Sequence, residues 1–79
     1  MSAKEMFEDI RYEYFEDKYF IKYKEKTDHT VRYEIVFCKE NKAIELIPRM
    51  NDRDHYFTRV SISLLKAINK QVEELGWNK

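Results

Sequence analysis

Apolar and polar positions change period twice along this chain. "SAKEMFEDI" places Ala3, Met6, Phe7 and Ile10 at helical spacing, with Glu5, Glu8 and Asp9 away from that face. Ser2 followed three residues later by Glu5 is the pattern of a capping box, so the spacing predicts a short helix over about residues 3–10. The period then falls to two. In "RYEYFEDKYFIKYKEK", Tyr12 and Tyr14 flank Glu13, and Tyr19, Ile21 and Tyr23 are set against Lys22 and Lys24; "EDK" between the runs reads as a tight turn. "VRYEIVFC" sets Val31, Tyr33, Ile35 and Phe37 on one face and Arg32, Glu34, Val36 and Cys38 on the other. "KENK" turns the chain again. "AIELIP" follows with Ile44 and Leu46 expected inward, and Pro48 ends that strand or marks a sheet edge. "HYFTRV" supplies a candidate fifth strand over residues 56–60.

"SISLLKAINKQVEELGW" returns to helical spacing. Ser61 is a good N-cap. Leu64, Leu65, Ile68, Val72 and Leu75 fall within an arc of about 100°, and Lys66, Lys70, Glu73 and Glu74 fall opposite. Gly76 is the natural left-handed residue after the last turn, with Trp77 beyond it placed to pack back on Val72. Glu73 and Glu74 oppose the helix dipole at this end, so packing must hold it. The order of elements predicts one α+β domain over residues 1–79: an N-terminal helix, an antiparallel meander of four strands or five, and a C-terminal helix. Both helices are expected on one face of the sheet. About five apolar side chains, at about 1.5–3 kcal/mol each, would make the last helix the main cover of the core.

Composition supports this reading. Hydrophobic residues make up 43% and charged residues 38% of 79 residues, which is not the low-hydrophobicity, high-net-charge signature of a disordered chain. The single Gly and single Pro fit regular elements joined by short turns. Fifteen basic residues balance fifteen acidic ones, which removes the broad electrostatic pull of non-specific nucleic-acid binders. Cys38 is the one cysteine, so a chain of this sequence has no internal disulfide and no cysteine-based zinc site of its own, and it suits a reducing cytoplasm. The N-terminal residues lack the apolar run of a signal peptide, and no stretch approaches the roughly 18 apolar residues of a membrane span. The expected location is therefore a reducing cytoplasm, away from membranes.

Candidate chemistry is sparse. Asp28-His29 and Asp54-His55 fall in turns or loops, where neighbours in sequence point apart; only a meeting of the two loops would assemble a metal site. Cys38 lacks an evident base and reads as a passive, half-buried thiol. No Gly-rich phosphate loop or other mechanistic motif is present, so neither enzyme nor cofactor is expected. With both helices on one face, the other face is left open, and its strand positions Phe20, Lys22, Lys24, Arg32, Glu34 and Val36 form the candidate interaction surface. Tyr and Arg are common interface anchors, although tyrosine is also simply a good strand former.

The two ends of the chain, "SAKEMFEDIRYEY" and "SISLLKAINKQVEELGW", resemble those of small uncharacterised proteins encoded in phages, prophages and mobile elements of Gram-positive bacteria. Those proteins carry "AKEMFE.LGY" and "IS..LLKAINKQ.EELGW" around a variable, tyrosine-rich β middle. The resemblance carries no activity and no functional residue with it. It implies an accessory protein that works by binding an unidentified protein partner of host or phage, inhibition of a host protein being one form. Nucleic-acid binding through Lys22, Lys24 and Arg32 is an alternative, as is self-association into a homodimer or larger structure. One departure stands out: relatives have Gly after the first helix where this chain has Arg11. A positive φ there would cost an arginine about 1 kcal/mol.

Overall fold

The computed structural model describes residues 1–26, 32–49 and 60–78. Helix α1 (Ala3–Asp9) leads into strands β1 (Tyr12–Glu16), β2 (Phe20–Glu25), β3 (Arg32–Cys38) and β4 (Ala43–Arg49), and helix α2 (Ile62–Leu75) follows. The strands form one antiparallel sheet in the order β1-β2-β3-β4, an α+β meander. The expected fifth strand and both histidines lie outside the described residues.

Local chemistry sets the element ends. The Ser2 hydroxyl accepts from the Glu5 amide at 3.1 Å and the Glu5 carboxylate accepts from the Ser2 amide at 2.8 Å, completing the capping box. Hydrogen bonding from those groups holds the Glu5 carboxyl below its ordinary range. At α2, the Ser61 hydroxyl accepts from the Leu64 amide at 3.1 Å. Gly76 takes φ 73°, its amide reaches the Glu73 carbonyl, and the Trp77 amide reaches the Val72 carbonyl at 3.1 Å. That pair of bonds is the Schellman closure expected from "LGW". α1 ends on Ile10, and Arg11 has φ 68°. The arginine thus occupies the left-handed conformation, in which a glycine would sit without strain. Lys42, in the β3–β4 turn, does the same with φ 56°.

The core lies between the helices and one face of the sheet. Phe7 of α1, Tyr12, Ile21, Tyr23, Ile35 and Phe37 of the strands, and Leu64, Ala67 and Ile68 of α2 pack as one cluster. The Phe7 ring stacks on Tyr23 with centroids 3.7 Å apart, and the Trp77 ring lies 6.2 Å from Phe37. Both helices therefore touch the same sheet face, the face that carries Ile21, Tyr23, Ile35 and Phe37.

Helix α2 is rotated from its expected orientation. Ala67 and Gln71 are buried, whereas Leu65 is 44% exposed. Hydrophobicity favours leucine over alanine, but two helices approach closely only where side chains are small, and fully buried Ala3 and Ala67 supply that on α1 and α2. Gln71 is drawn in by a hydrogen bond: the Tyr23 hydroxyl donates to its Oε1 at 2.5 Å. Glu74, expected on the solvent side, accepts from the Ala3 amide at 2.8 Å. A carboxylate unfavourable to its own helix end thereby satisfies a free amide at the start of α1 and complements that helix's dipole.

Strand β4 also departs from expectation. Ile44 and Leu46 pair with Phe37 and Ile35, so they lie on the helix side of the sheet, yet they are 39% and 38% exposed. The helices cover the first three strands and stop short of this edge. Tyr19, read as part of the β2 alternation, sits in the turn and is exposed.

Two stability measurements follow. Arg11→Gly is expected to raise stability by about 0.5–1 kcal/mol, the relief of left-handed strain less the added freedom of the unfolded chain. The readout is a higher denaturant midpoint at unchanged slope. Tyr23→Phe is expected to cost about 1–3 kcal/mol by stranding the buried Gln71 amide, and adding Gln71→Leu should recover a large part of it.

Candidate interaction surface

The helix-free face of the sheet is built from alternate strand residues. In register, Phe15, Lys22, Val36 and Glu45 form one row across it, and Glu13, Lys24, Glu34 and Ile47 form the next. Beside these rows lies the β1–β2 turn. Asp17 shapes it by accepting from the Tyr19 and Phe20 amides, both at 2.8 Å, while its own amide donates to the Phe20 carbonyl. Those two amides hold the Asp17 carboxyl below its ordinary range. Lys39, from the β3–β4 turn, ties down the same corner: its ammonium donates to Glu16 at 2.6 Å and to the Asp17 carbonyl at 2.9 Å. Lys39, and the Tyr14 hydroxyl that also donates to Glu16, lower the Glu16 carboxyl.

This corner frames a groove of about 170 Å³, lined by Phe15, Glu16, Asp17, Phe20, Lys22 and Lys24. Three of the sequence-predicted surface residues, Phe20, Lys22 and Lys24, come together here. Lys22 lies 5.4 Å from the Phe20 ring centroid and Lys24 lies 5.1 Å from that of Phe15, so each ring carries a cation at one side. Phe15 is 42% exposed and completes the site. It was missed in sequence because "YEYFED" reads as two tyrosines and a turn; the register opposite Lys22 is the signal that places it on this face.

Two other predicted residues are less available. Glu34 and Val36 do lie on the helix-free face but are only 8% and 5% exposed. They occupy a central strand with long neighbours to both sides, and Lys24 reaches Glu34 at 3.7 Å. They form the floor of the surface and not its contact points. The Arg32 backbone pairs in register with Arg49 of β4, two residues along β3 from Glu34. Cys38 is a free, partly buried thiol opposite Phe20.

A second cleft, about 570 Å³, opens at the other end of the molecule against Ile10, Tyr12, Glu25 and Leu64. Burial, with the Glu25 carboxylate and the Tyr33 phenol nearby, pushes the Tyr12 phenol up to about 12. Among the described residues no group of three or more His, Cys, Asp or Glu side chains could hold a metal ion, and no helix is long and apolar enough to cross a membrane. No family model, curated protein or solved structure matches this chain.

The tyrosines give a pH signature. Burial is the main cause that raises Tyr12 and Tyr14 to about 12, and it raises Tyr23 as well. A phenol with a raised folded-state pKa contributes its stability in full below its unfolded pKa of about 10 and loses it as pH climbs through the folded value. Stability is expected to fall above about pH 10. Ultraviolet titration should then show Tyr12, Tyr14 and Tyr23 ionising only as the chain unfolds.

Proposed function

We propose that this chain is a non-catalytic protein-binding module, and that it holds its partner with the helix-free sheet face around Phe15, Phe20, Lys22 and Lys24. The observation that carries the reading is the groove in which two partly exposed phenylalanines lie between lysines on a rigid antiparallel scaffold. Aromatic rings in a shallow groove provide apolar contact area, and neighbouring charges of both signs provide orientation. The carboxylates at the groove are engaged in structure, Glu16 by Lys39 and Asp17 by two turn amides. That speaks for recognition over acid–base chemistry. The resemblance of the chain ends to proteins of phages and mobile elements places the partner, in this reading, among host or phage proteins of a bacterial cytoplasm, with inhibition of a host protein as one outcome.

Nucleic-acid binding is the second reading, favoured by the aromatic–lysine pairs, since bases stack on such rings. Glu13, Glu34 and Glu45 share the same rows as Lys22 and Lys24, so the face does not carry the one-sign charge that follows a phosphate backbone.

The test is affinity capture from host lysate with and without nuclease, followed by titration of the recovered partner. Phe20→Ala and Lys22→Glu are expected to weaken that binding about tenfold or more, roughly 1.4 kcal/mol, with the circular dichroism spectrum unchanged. Loss of the partner on nuclease treatment, and oligonucleotide binding that weakens steeply with salt, would replace the protein reading with the nucleic-acid one.

A further inference from the structure

The hydrogen-bond phase of the sheet determines what each of its edges offers. The Asp17 amide bonds the Phe20 carbonyl and the Lys26 amide bonds the Arg11 carbonyl. Between these two, with Tyr14 opposite Tyr23, alternation makes Glu13–Lys24 and Phe15–Lys22 the bonded pairs. The amides and carbonyls of Tyr12, Tyr14 and Glu16 therefore point away from the sheet. Counting in the same way from the Lys39 amide on the Tyr19 carbonyl, through β3, turns Ile44, Leu46 and Pro48 outward on β4. Proline has no N–H, so β4 is blunted at one of its outward positions. β1 has no such interruption.

We propose that β1 pairs with β1 of a second copy of this chain, antiparallel about a two-fold axis through Tyr14, joining two four-stranded sheets into one. Of the two-fold registers, this one engages the outward groups of Tyr12, Tyr14 and Glu16 on both chains, with Tyr12 bonded to Glu16 of the copy and Tyr14 to its own counterpart. Moving the axis to Glu13 would set that carboxylate directly against itself, a repulsive arrangement. Moving it to Phe15 would leave Tyr12 without a strand residue opposite.

Side chains complement this register. On the helix-free face, Glu13 lies opposite Phe15 of the copy. Glu13 already lies 3.9 Å from the Lys26 ammonium of its own chain and opposite its own Lys24; because Lys24 also sits 5.1 Å from the Phe15 ring centroid, each Glu13 gains the copy's Lys24 as a further neighbour, and no like charges stand directly opposite. The two Phe15 rings become diagonal neighbours within contact range of aromatic side chains. The inference rests on the backbone edge and its register, not on what the groove binds, and it stands or falls apart from the proposed function.

Register-specific cross-linking tests it. In a Cys38→Ser chain, Glu13→Cys combined with Phe15→Cys puts cysteines opposite each other in non-bonded pairs, where Cα atoms approach to about 4.5 Å and a disulfide can form. Mild oxidation is expected to give a covalent dimer from the double variant and little from either single variant. In light scattering, the unmodified protein is expected to rise from its 9.8 kDa chain mass towards twice that value with concentration. Glu13→Lys should weaken this dimer about tenfold, and adding Lys24→Glu should restore it. Thermal unfolding of each variant confirms that it is folded. A protein that stays monomeric at its highest soluble concentration overturns the proposal. So does efficient cross-linking of Glu13→Cys alone, or a dimer indifferent to charge reversal at Glu13.

Discussion

Tyr23 joins the three layers of contact that make this fold. Its ring is fully buried and stacks on Phe7 of α1, its strand lies second in the sheet, and its hydroxyl reaches Gln71 of α2. A buried hydroxyl must find a partner or incur the cost of desolvation, so this one bond fixes which side of α2 faces the sheet. Once Gln71 is turned inward, Ala67 follows on the same stripe, and Leu65 is carried outward. Around the Tyr23 ring, Phe7 stacks face to face, Phe37 meets it edge to face and Tyr14 is tilted against it. Four of the nine residues of the buried cluster, Phe7, Tyr12, Tyr23 and Phe37, are aromatic, which gives large buried area from few residues.

That arrangement leaves the opposite face of the sheet to do other work. Among the described residues no helix packs there, and its rows are made of side chains that cover one another: lysines over phenylalanines, Lys24 against Glu34, and Val36 sheltered beneath long neighbours. The β1–β2 turn, clamped by Asp17 and Lys39, sets the position of the groove at the end of this face. A binding surface assembled this way is held by strands and a tied turn, so little ordering cost attends recognition.

Much of this was legible in the chain. Caps and stops were clear because their chemistry is local: Ser2 with Glu5, Ser61, and the Gly76–Trp77 closure each involve residues a few positions apart. The period-two runs placed β1 to β4 for the same reason. What stayed hidden depends on distant partners. The rotation of α2 follows from Tyr23, 48 positions away from Gln71. The role of Glu74 follows from Ala3, 71 positions away. The exposure of Ile44 and Leu46 follows from how far the helix layer extends, which no periodicity encodes. On the candidate surface, alternation assigned Glu34 and Val36 to the right face, but their depth is a property of the central strand and its neighbours. The strained φ at Arg11 was anticipated only through the glycine of the resembling proteins.

The bond between Ala3 and Glu74 has a consequence for the order in which the molecule is made. Helix α1 leaves the ribosome before α2 and is too short to persist unaided, and the carboxylate that holds it in place is synthesised 71 positions later. Until α2 emerges, Phe7 and the inner face of the hairpin stay open to water and to other nascent chains. Closure of the core is thus a long-range event that waits for α2, and chaperone contact during synthesis should concentrate on the aromatic residues of α1 and the first hairpin.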